Sequence, residues 1–299
     1  MPSSTILVTG KSGQVGHALL PVLATLGTVV ALGRTDCDLA DQAAIARTVR
    51  EIRPDIIINP AAYTAVDKAE SDRDVAFAVN TLAPGIMAET AKELGAAMIH
   101  YSTDYVFDGR KTEPYLEDDE TNPLSVYGLS KLDGERAVRA NLREHFILRT
   151  SWVFSTAGAN FLKTVIRLAG ERENLAVVAD QVGAPTSADL LARITGKIVR
   201  TILGNREAPY GTYHLTAAGQ TSWYGYAAFA IEEARRNSLP IRLEKDAIRA
   251  IPTSAFPTPA ARPANSRLDT TKLRGMFGID LPPWQDGVRL AVEALANHD

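Results

Sequence analysis

The chain has 299 residues, 45% of them hydrophobic, which is enough to bury a large core in one domain or in two closely joined ones. With 32 basic residues against 35 acidic ones, the net charge is −3 and neither sign forms a long run, which argues against a nucleic-acid or membrane surface. The single cysteine, Cys37, excludes an intramolecular disulfide and a cysteine-held zinc. Met1-Pro2-Ser3-Ser4 lacks a basic leader, so the expectation is a soluble cytoplasmic protein without a signal peptide.

Apolar runs rich in Val and Ile predict strands at 5–9, 28–32, 55–59, 96–102 and 145–150, and helical spacing fills 43–53, 66–95 and 126–142 between them. This alternation predicts an α/β fold, a Rossmann-type doubly wound parallel sheet with right-handed crossovers. The uncharged run 18–33 is interrupted by Pro21 and Gly27 and is shorter than the ~20 residues of a membrane span, so it reads as a helix followed by a buried strand.

The first strand leads directly into Thr9-Gly10-Lys11-Ser12-Gly13-Gln14-Val15-Gly16. Strand, glycine loop and helix in that order are what a dinucleotide fingerprint requires, here spaced G-x-x-G-x-x-G. Gly10 and Gly13 permit a tight turn against a pyrophosphate, and Gly16 lets the helix pack closely on the strand. Gly33-Arg34-Thr35-Asp36 closes the second strand. Arg34 stands where an NAD site usually places a carboxylate, and a guanidinium suits the 2′-phosphate of NADP; this favours NADPH, with NADH still open. Asp36, Asn59 and Pro60 read as turn residues, and Asn80 as a polar residue inside a helix.

Thr103 and Asp104 follow the strand at 96–102, beyond whose carboxyl end an open α/β sheet binds its ligands. Thr103 offers a hydroxyl to polarise a carbonyl. Asp104 either orients Thr103 and a sugar hydroxyl or caps the next turn. Glu117-Asp118-Asp119-Glu120 reads as a solvated loop, because four adjacent carboxylates cannot converge on one ion. In Tyr127-Gly128-Leu129-Ser130-Lys131 a phenol and an ammonium share a helix face. A free tyrosine titrates near pH ~10, and an adjacent cation would lower that value toward neutrality. The same spacing also occurs on ordinary solvated helices, so it decides nothing alone.

Beyond Thr150 the pattern changes. Trp152 stands at a strand end as either core or ligand contact, and Asn160 opens a helical stretch to about 172. A strand at 175–178, a helix at 188–203, a strand at 212–215 and a helix at 222–236 follow. The Pro-rich run 251–263 crosses the surface with little regular structure. An arginine at its close, Arg262 or Arg267, suits a diphosphate, with plain surface charge as the alternative.

Together the glycine loop, Thr103 and Tyr127-x-x-x-Lys131 resemble the extended short-chain dehydrogenase/reductase superfamily. STDYVFDG (102–109), YGLSK (127–131), RTSW (149–152) and RPANSRLDT (262–270) are similar to the dTDP-4-dehydrorhamnose reductase family, over Ile6 to about Trp284. The resemblance implies an NADP(H)-binding domain at 1–150, with 175–215 returning to it, and a smaller, mainly C-terminal substrate-binding lobe at 151–174 and 216–299. It implies cofactor contacts from Gly10 to Gly16, Arg34, Asp38, Leu39, Ala61, Ala62, Tyr63, Thr64, Tyr101, Tyr127 and Lys131. Substrate contacts fall on Thr103, Asp104, Val106, Trp152, Asn160 and Arg262, with Arg262 preferred over Arg267, and Asn80 matches an asparagine that extended members use to support the active site through its backbone. The implied chemistry is hydride transfer from NADPH to the C4 ketone of dTDP-4-dehydro-6-deoxy-L-mannose. In it Tyr127 donates the proton, Thr103 polarises the carbonyl, and Lys131 holds the ribose and lowers the tyrosine pKa; no metal takes part. Some members carry Mg2+ at a dimer contact. By that resemblance Mg2+ stays possible; His17 stands where a glutamate would fit, which argues against a metal-linked dimer, and the chain is a monomer or a homodimer. Two rivals stay open: another nucleotide-sugar 4-ketoreductase, and a non-catalytic NADP-binding regulatory subunit of the same fold.

Overall fold

Alternate side chains along each strand supply two separate cores, which is why these runs read as continuously apolar. In the computed structural model, which describes residues 4–205 and 207–297, Leu7, Ile57, Met98 and Ile147 pack on one side of the sheet. Ile6, Val8, Ile58, Ile99 and Leu148 pack on the other. Each such side chain contributes about 1.5–3 kcal/mol when fully buried, so burial on both faces holds this lobe together. Met1-Pro2-Ser3, part of the stretch read as leaderless, lies outside the described residues.

The chain alternates through β1 (Thr5–Thr9), α1 (Gln14–Leu23), β2 (Thr28–Leu32), α2 (Gln42–Ile52) and β3 (Ile56–Asn59). The predicted helix at 66–95 is broken into α3 (Val66–Ala69), α4 (Arg73–Phe77), a π-helical turn at Ala78–Leu82 and α5 (Ala83–Leu94). Glu70-Ser71-Asp72 makes the first break. The wider π turn makes the second, and it carries the fully buried Asn80. β4 (Ala97–Thr103), α6 (Val126–Asn141) and β5 (His145–Thr150) complete the predicted series.

The second half holds β6 (Val153–Phe154), α7 (Phe161–Glu171), β7 (Leu175–Val178), β8 (Val182–Gly183), β9 (Thr186–Ser187), α8 (Ala188–Gly204) and β10 (Gly211–His214). It ends with β11 (Thr221–Ser222), α9 (Trp223–Arg236), β12 (Ile248–Ile251), α10 (Thr271–Phe277) and α11 (Trp284–Ala296). Among the described residues the main sheet has six parallel strands in the order β10-β5-β4-β3-β1-β2. The chain reverses its direction of travel across the sheet between β1 and β3, and a ligand crevice opens beyond the carboxyl ends of strands at such a point. α8 packs on α1 and β10 joins the main sheet, whereas β7 pairs with β12 away from it. The run 251–263 is irregular after β12 apart from one 3-10 turn, Thr253–Ala255.

Candidate active site

A cleft of about 560 Å3 opens beyond β1 and β3, with the glycine loop at one end and Tyr127 and Lys131 at the other. Gly10 takes a left-handed φ of +63°, and a Cβ on Gly16 would lie 2.0 Å from the Gly10 carbonyl oxygen, so both positions require glycine. Gly13 caps α1 without a side chain, which leaves the helix's first amides free for a phosphate. Ser12, Gln14, Val15, Arg34, Asp38, Leu39 and the Ala61-Ala62-Tyr63-Thr64 turn also line the cleft, as does Tyr101.

At the second-strand end, Asp36 accepts from the Gly33 amide at 2.7 Å and pairs with Lys11 Nζ at 2.6 Å. The Lys11 hydrogen bond, then the Gly33 amide, hold its carboxyl below the usual carboxylate range. Arg34 is 82% exposed and lies 3.7 Å from Asp38. Two cations, Lys11 and Arg34, therefore stand at this rim of the cleft.

The catalytic candidates converge on the start of α6. The Ser125 hydroxyl accepts from the Gly128 amide at 3.1 Å and caps the helix, and Glu70 accepts from the Val126 amide at 2.8 Å. This places Tyr127 in the first turn, where Tyr105 packs edge-on against it with ring centroids 5.5 Å apart. Burial pushes the Tyr127 phenol up to about 12; a hydrogen bond with Thr103 opposes the rise and the charge of Asp104 adds to it. The expected depression by Lys131 is not what this geometry produces. The Lys131 ammonium donates to the Tyr101 carbonyl at 2.7 Å and lies 3.3 Å from His100 Nε2, and burial brings it down to about 8.

Thr103 Oγ1 donates to Asp104 Oδ1 at 3.0 Å and accepts from the Tyr105 amide at 3.2 Å, so Thr103 rather than Asp104 caps the turn. Asp104 is buried and its Oδ2 has no hydrogen bond of ordinary geometry, although Ser266 is near enough to favour its anion. Burial pushes its carboxyl up to about 6.

The remaining substrate candidates are more engaged than their positions in the sequence suggest. Trp152 adopts φ +48°, uncommon for a bulky residue, and stacks on Trp223 at 3.7 Å while Gly183 backs its other face. Both ring faces are covered by protein, which leaves an edge for a ligand. Asn160 caps α7 through the Lys163 amide and donates to Gln14 Oε1 at 2.9 Å, joining the start of α7 to the glycine-loop helix α1. Val106 is fully buried with Phe107, Tyr115, Leu132 and Leu268. Arg262 grips Asp67 with two hydrogen bonds, and Arg267 is tied to Asn265, Gln220 and the Thr112 carbonyl.

Several residues around the site were read otherwise from the sequence. Asn80 accepts from the Tyr63 amide at 2.8 Å and donates to the Tyr63 carbonyl at 3.1 Å and to Ser130 Oγ at 3.0 Å, tying the cofactor-side turn to α6. Asn59, read as shaping a turn, is fully buried at the end of β3 between Thr9 and His100. Glu117, expected in a solvated loop, turns inward and accepts from the His214 amide at 3.0 Å, because its carbonyl is held by the buried Arg149. Asp119 pairs with Lys111. Among the described residues no group of three His, Cys, Asp or Glu is placed to hold a metal ion, and no helix is long and apolar enough to cross a membrane.

A dTDP-4-dehydrorhamnose reductase of Escherichia coli K12 is 51% identical to this chain over 294 residues, 97% of each chain. The crystal structure of the Clostridium acetobutylicum dTDP-4-dehydrorhamnose reductase matches with a TM-score of 0.90 at 36% identity, covering 97% of this chain and 99% of that one. The Bacillus anthracis enzyme, crystallised in complex with NADP, matches with a TM-score of 0.89 at 34% identity over 97% and 98% of the two chains. The model of the family described as the RmlD substrate binding domain matches residues 4–297, and the chain belongs to that family.

Proposed function

We propose that this protein is an NADPH-dependent reductase that converts the C4 ketone of dTDP-4-dehydro-6-deoxy-L-mannose to the hydroxyl of dTDP-L-rhamnose. The observation that carries the reading is the single cleft joining a phosphate-binding glycine loop to Tyr127 and Lys131. Relatives that bear the dTDP-4-dehydrorhamnose reductase name, one of them crystallised with NADP, support it.

NADPH, when bound, supplies the hydride. Gly10–Gly16 would hold its pyrophosphate at the start of α1, and Lys11 and Arg34 would face the 2′-phosphate, which favours NADPH over NADH. Lys131, with one ammonium hydrogen left after Tyr101 and His100, would hold the nicotinamide ribose. Tyr127 would give its proton to the ketone oxygen as C4 is reduced. A phenol raised to about 12 stays protonated at neutral pH, the state a donor needs, and an alkoxide forming beside it is the stronger base. Thr103, close to Tyr127, would steady the same oxygen by turning its one hydroxyl hydrogen from Asp104 to the ketone. Arg262 would meet the diphosphate once released from Asp67, and the edge of Trp152 would border the sugar.

In this reading the main sheet with α8 and β10 would hold the dinucleotide; β7, expected to return to that domain with the rest of 175–215, pairs instead with β12 and would go with α9 and α11 to the sugar-nucleotide side. Within this reading the enzyme works in the cytoplasm, where nucleotide sugars are made. The test is incubation with NADPH and the purified dTDP-keto-sugar. One dTDP-L-rhamnose per NADPH oxidised is expected. NADPH binding without turnover of any nucleotide keto-sugar would instead favour the regulatory-subunit reading.

A further inference from the structure

A row of buried polar side chains crosses three neighbouring strands and ends on the catalytic lysine. Thr9 on β1, Asn59 on β3 and His100 on β4 are each at most 3% exposed, and Lys131 on α6 is 2% exposed. Thr9 Oγ1 lies 2.6 Å from Asn59 Oδ1, Asn59 Nδ2 lies 3.1 Å from His100 Nδ1, and His100 Nε2 lies 3.3 Å from Lys131 Nζ. Buried polar atoms must find their partners among themselves, so the proton positions along this row are coupled.

We propose that His100 is a positioning residue for Lys131, held by Asn59 in the one tautomer that offers the ammonium an acceptor. An ammonium has three donors and no acceptor. A charged Lys131 therefore needs the lone pair of His100 Nε2, which puts the imidazole proton on Nδ1. Nδ1–H in turn needs an oxygen, which requires a half-turn of the Asn59 amide from the orientation in which Thr9 Oγ1 donates to Oδ1; the amide nitrogen then donates to Thr9 Oγ1. The opposite amide orientation would aim an N–H at Nδ1 and drive Nε2–H against the ammonium. An imidazolium is excluded by the same contact, and burial, then the charge of Lys131, hold the His100 pKa well below its ordinary value.

The surrounding groups agree with a cationic lysine. Glu135, one turn further along α6, favours it, while its own charge is shared with Arg149 and Arg139. His145 on β5 adds a smaller push against protonating His100. Tyr101 and Tyr127 are raised phenols and contribute no charge near neutrality.

The kinetic half of the test rests on the reductase reading; the spectroscopic half does not. Nitrogen-15 NMR of the free wild-type protein at pH 7 should show His100 protonated on Nδ1 with a bare Nε2, and an Nε2–H tautomer would overturn the proposal. In kinetics, His100→Leu removes the acceptor and His100→Gln keeps an oxygen near the Nε2 position. The alkaline limb of kcat/KM should move down by about one pH unit or more in His100→Leu and return toward wild type in His100→Gln. A limb unmoved in a folded His100→Leu protein would leave the residue merely structural. Should that variant fail to fold, the tautomer still decides. The Nδ1–H tautomer in a protein that reduces no keto-sugar would count against the reductase reading alone.

Discussion

Arg262 Nη1 and Nη2 donate to the two carboxylate oxygens of Asp67, at 3.1 and 2.8 Å, bridging 195 residues of sequence. The Ala260 amide donates to the same carboxylate at 3.2 Å, so the end of the Pro-rich run is tied to α3. A carboxylate presents to a guanidinium the same two-pronged geometry as a phosphate. Asp67 thus occupies the surface of Arg262 that a diphosphate would take.

The first prediction follows from that competition. Asp67→Asn should lower the Michaelis constant for the dTDP-sugar severalfold, and Arg262→Ala should raise it by about tenfold, the low end for a charge-assisted contact. NADPH should be little affected by either. Equal increases from both substitutions would mean that the pair only anchors the loop. The Arg262 hydrogen bond holds the Asp67 carboxyl below its ordinary value, against a partial rise from burial. The tie is therefore complete above the unfolded carboxylate value of ~3.9 and is lost as pH falls through the lower folded value. It persists throughout the neutral range.

Cofactor choice gives the second prediction. Arg34 is well exposed and so partly screened, and Lys11 shares its charge with Asp36. Arg34→Ala should weaken NADPH by about tenfold more than NADH. Binding titrations with the two cofactors measure this directly, and equal losses would remove Arg34 from the 2′-phosphate site.

Much of this architecture could be read in advance, because its signals are local. The strands around Leu7, Ile57 and Met98 are apolar on both faces, and the glycine loop, the Thr103 strand end and the Tyr127–Lys131 spacing each lie within a few residues. What escaped depends on partners far along the chain. Asn80 meets Tyr63 and Ser130, and Asn59 meets Thr9 and His100, at separations of 17 to 50 residues. Glu117 looked solvated among its acidic neighbours until Arg149 and His214 came to meet it. The direction of the Tyr127 shift was misjudged for a related reason: the spacing puts Lys131 on the same helix face, but only the fold turns its ammonium toward Tyr101 and His100.

A third prediction concerns the support beneath the site. Glu135 is fully buried, receives two hydrogen bonds from Arg149 at 2.9 and 2.8 Å, and accepts from Ser102 at 2.6 Å, next to Thr103. Glu135→Leu would leave the Arg149 guanidinium charged and unpaired in the core. Denaturant unfolding should show a loss of about 3–5 kcal/mol. A loss near ~1 kcal/mol, typical of an exposed pair, would show that solvent reaches Arg149 and that the network does not brace β4 against α6.

The central claim is that the Tyr127 hydroxyl is the proton donor in a site otherwise built for binding. Tyr127→Phe keeps the ring against Tyr105 and leaves Lys131 on Tyr101 and His100. The deciding measurement is a paired determination of NADPH affinity and single-turnover reduction of the dTDP-keto-sugar in the parent and in this variant. Affinity should stay within a few-fold, and the rate should fall by ~10²- to 10⁴-fold. A variant that reduces the keto-sugar as fast as the parent would contradict the assignment of Tyr127 and with it the mechanism proposed here.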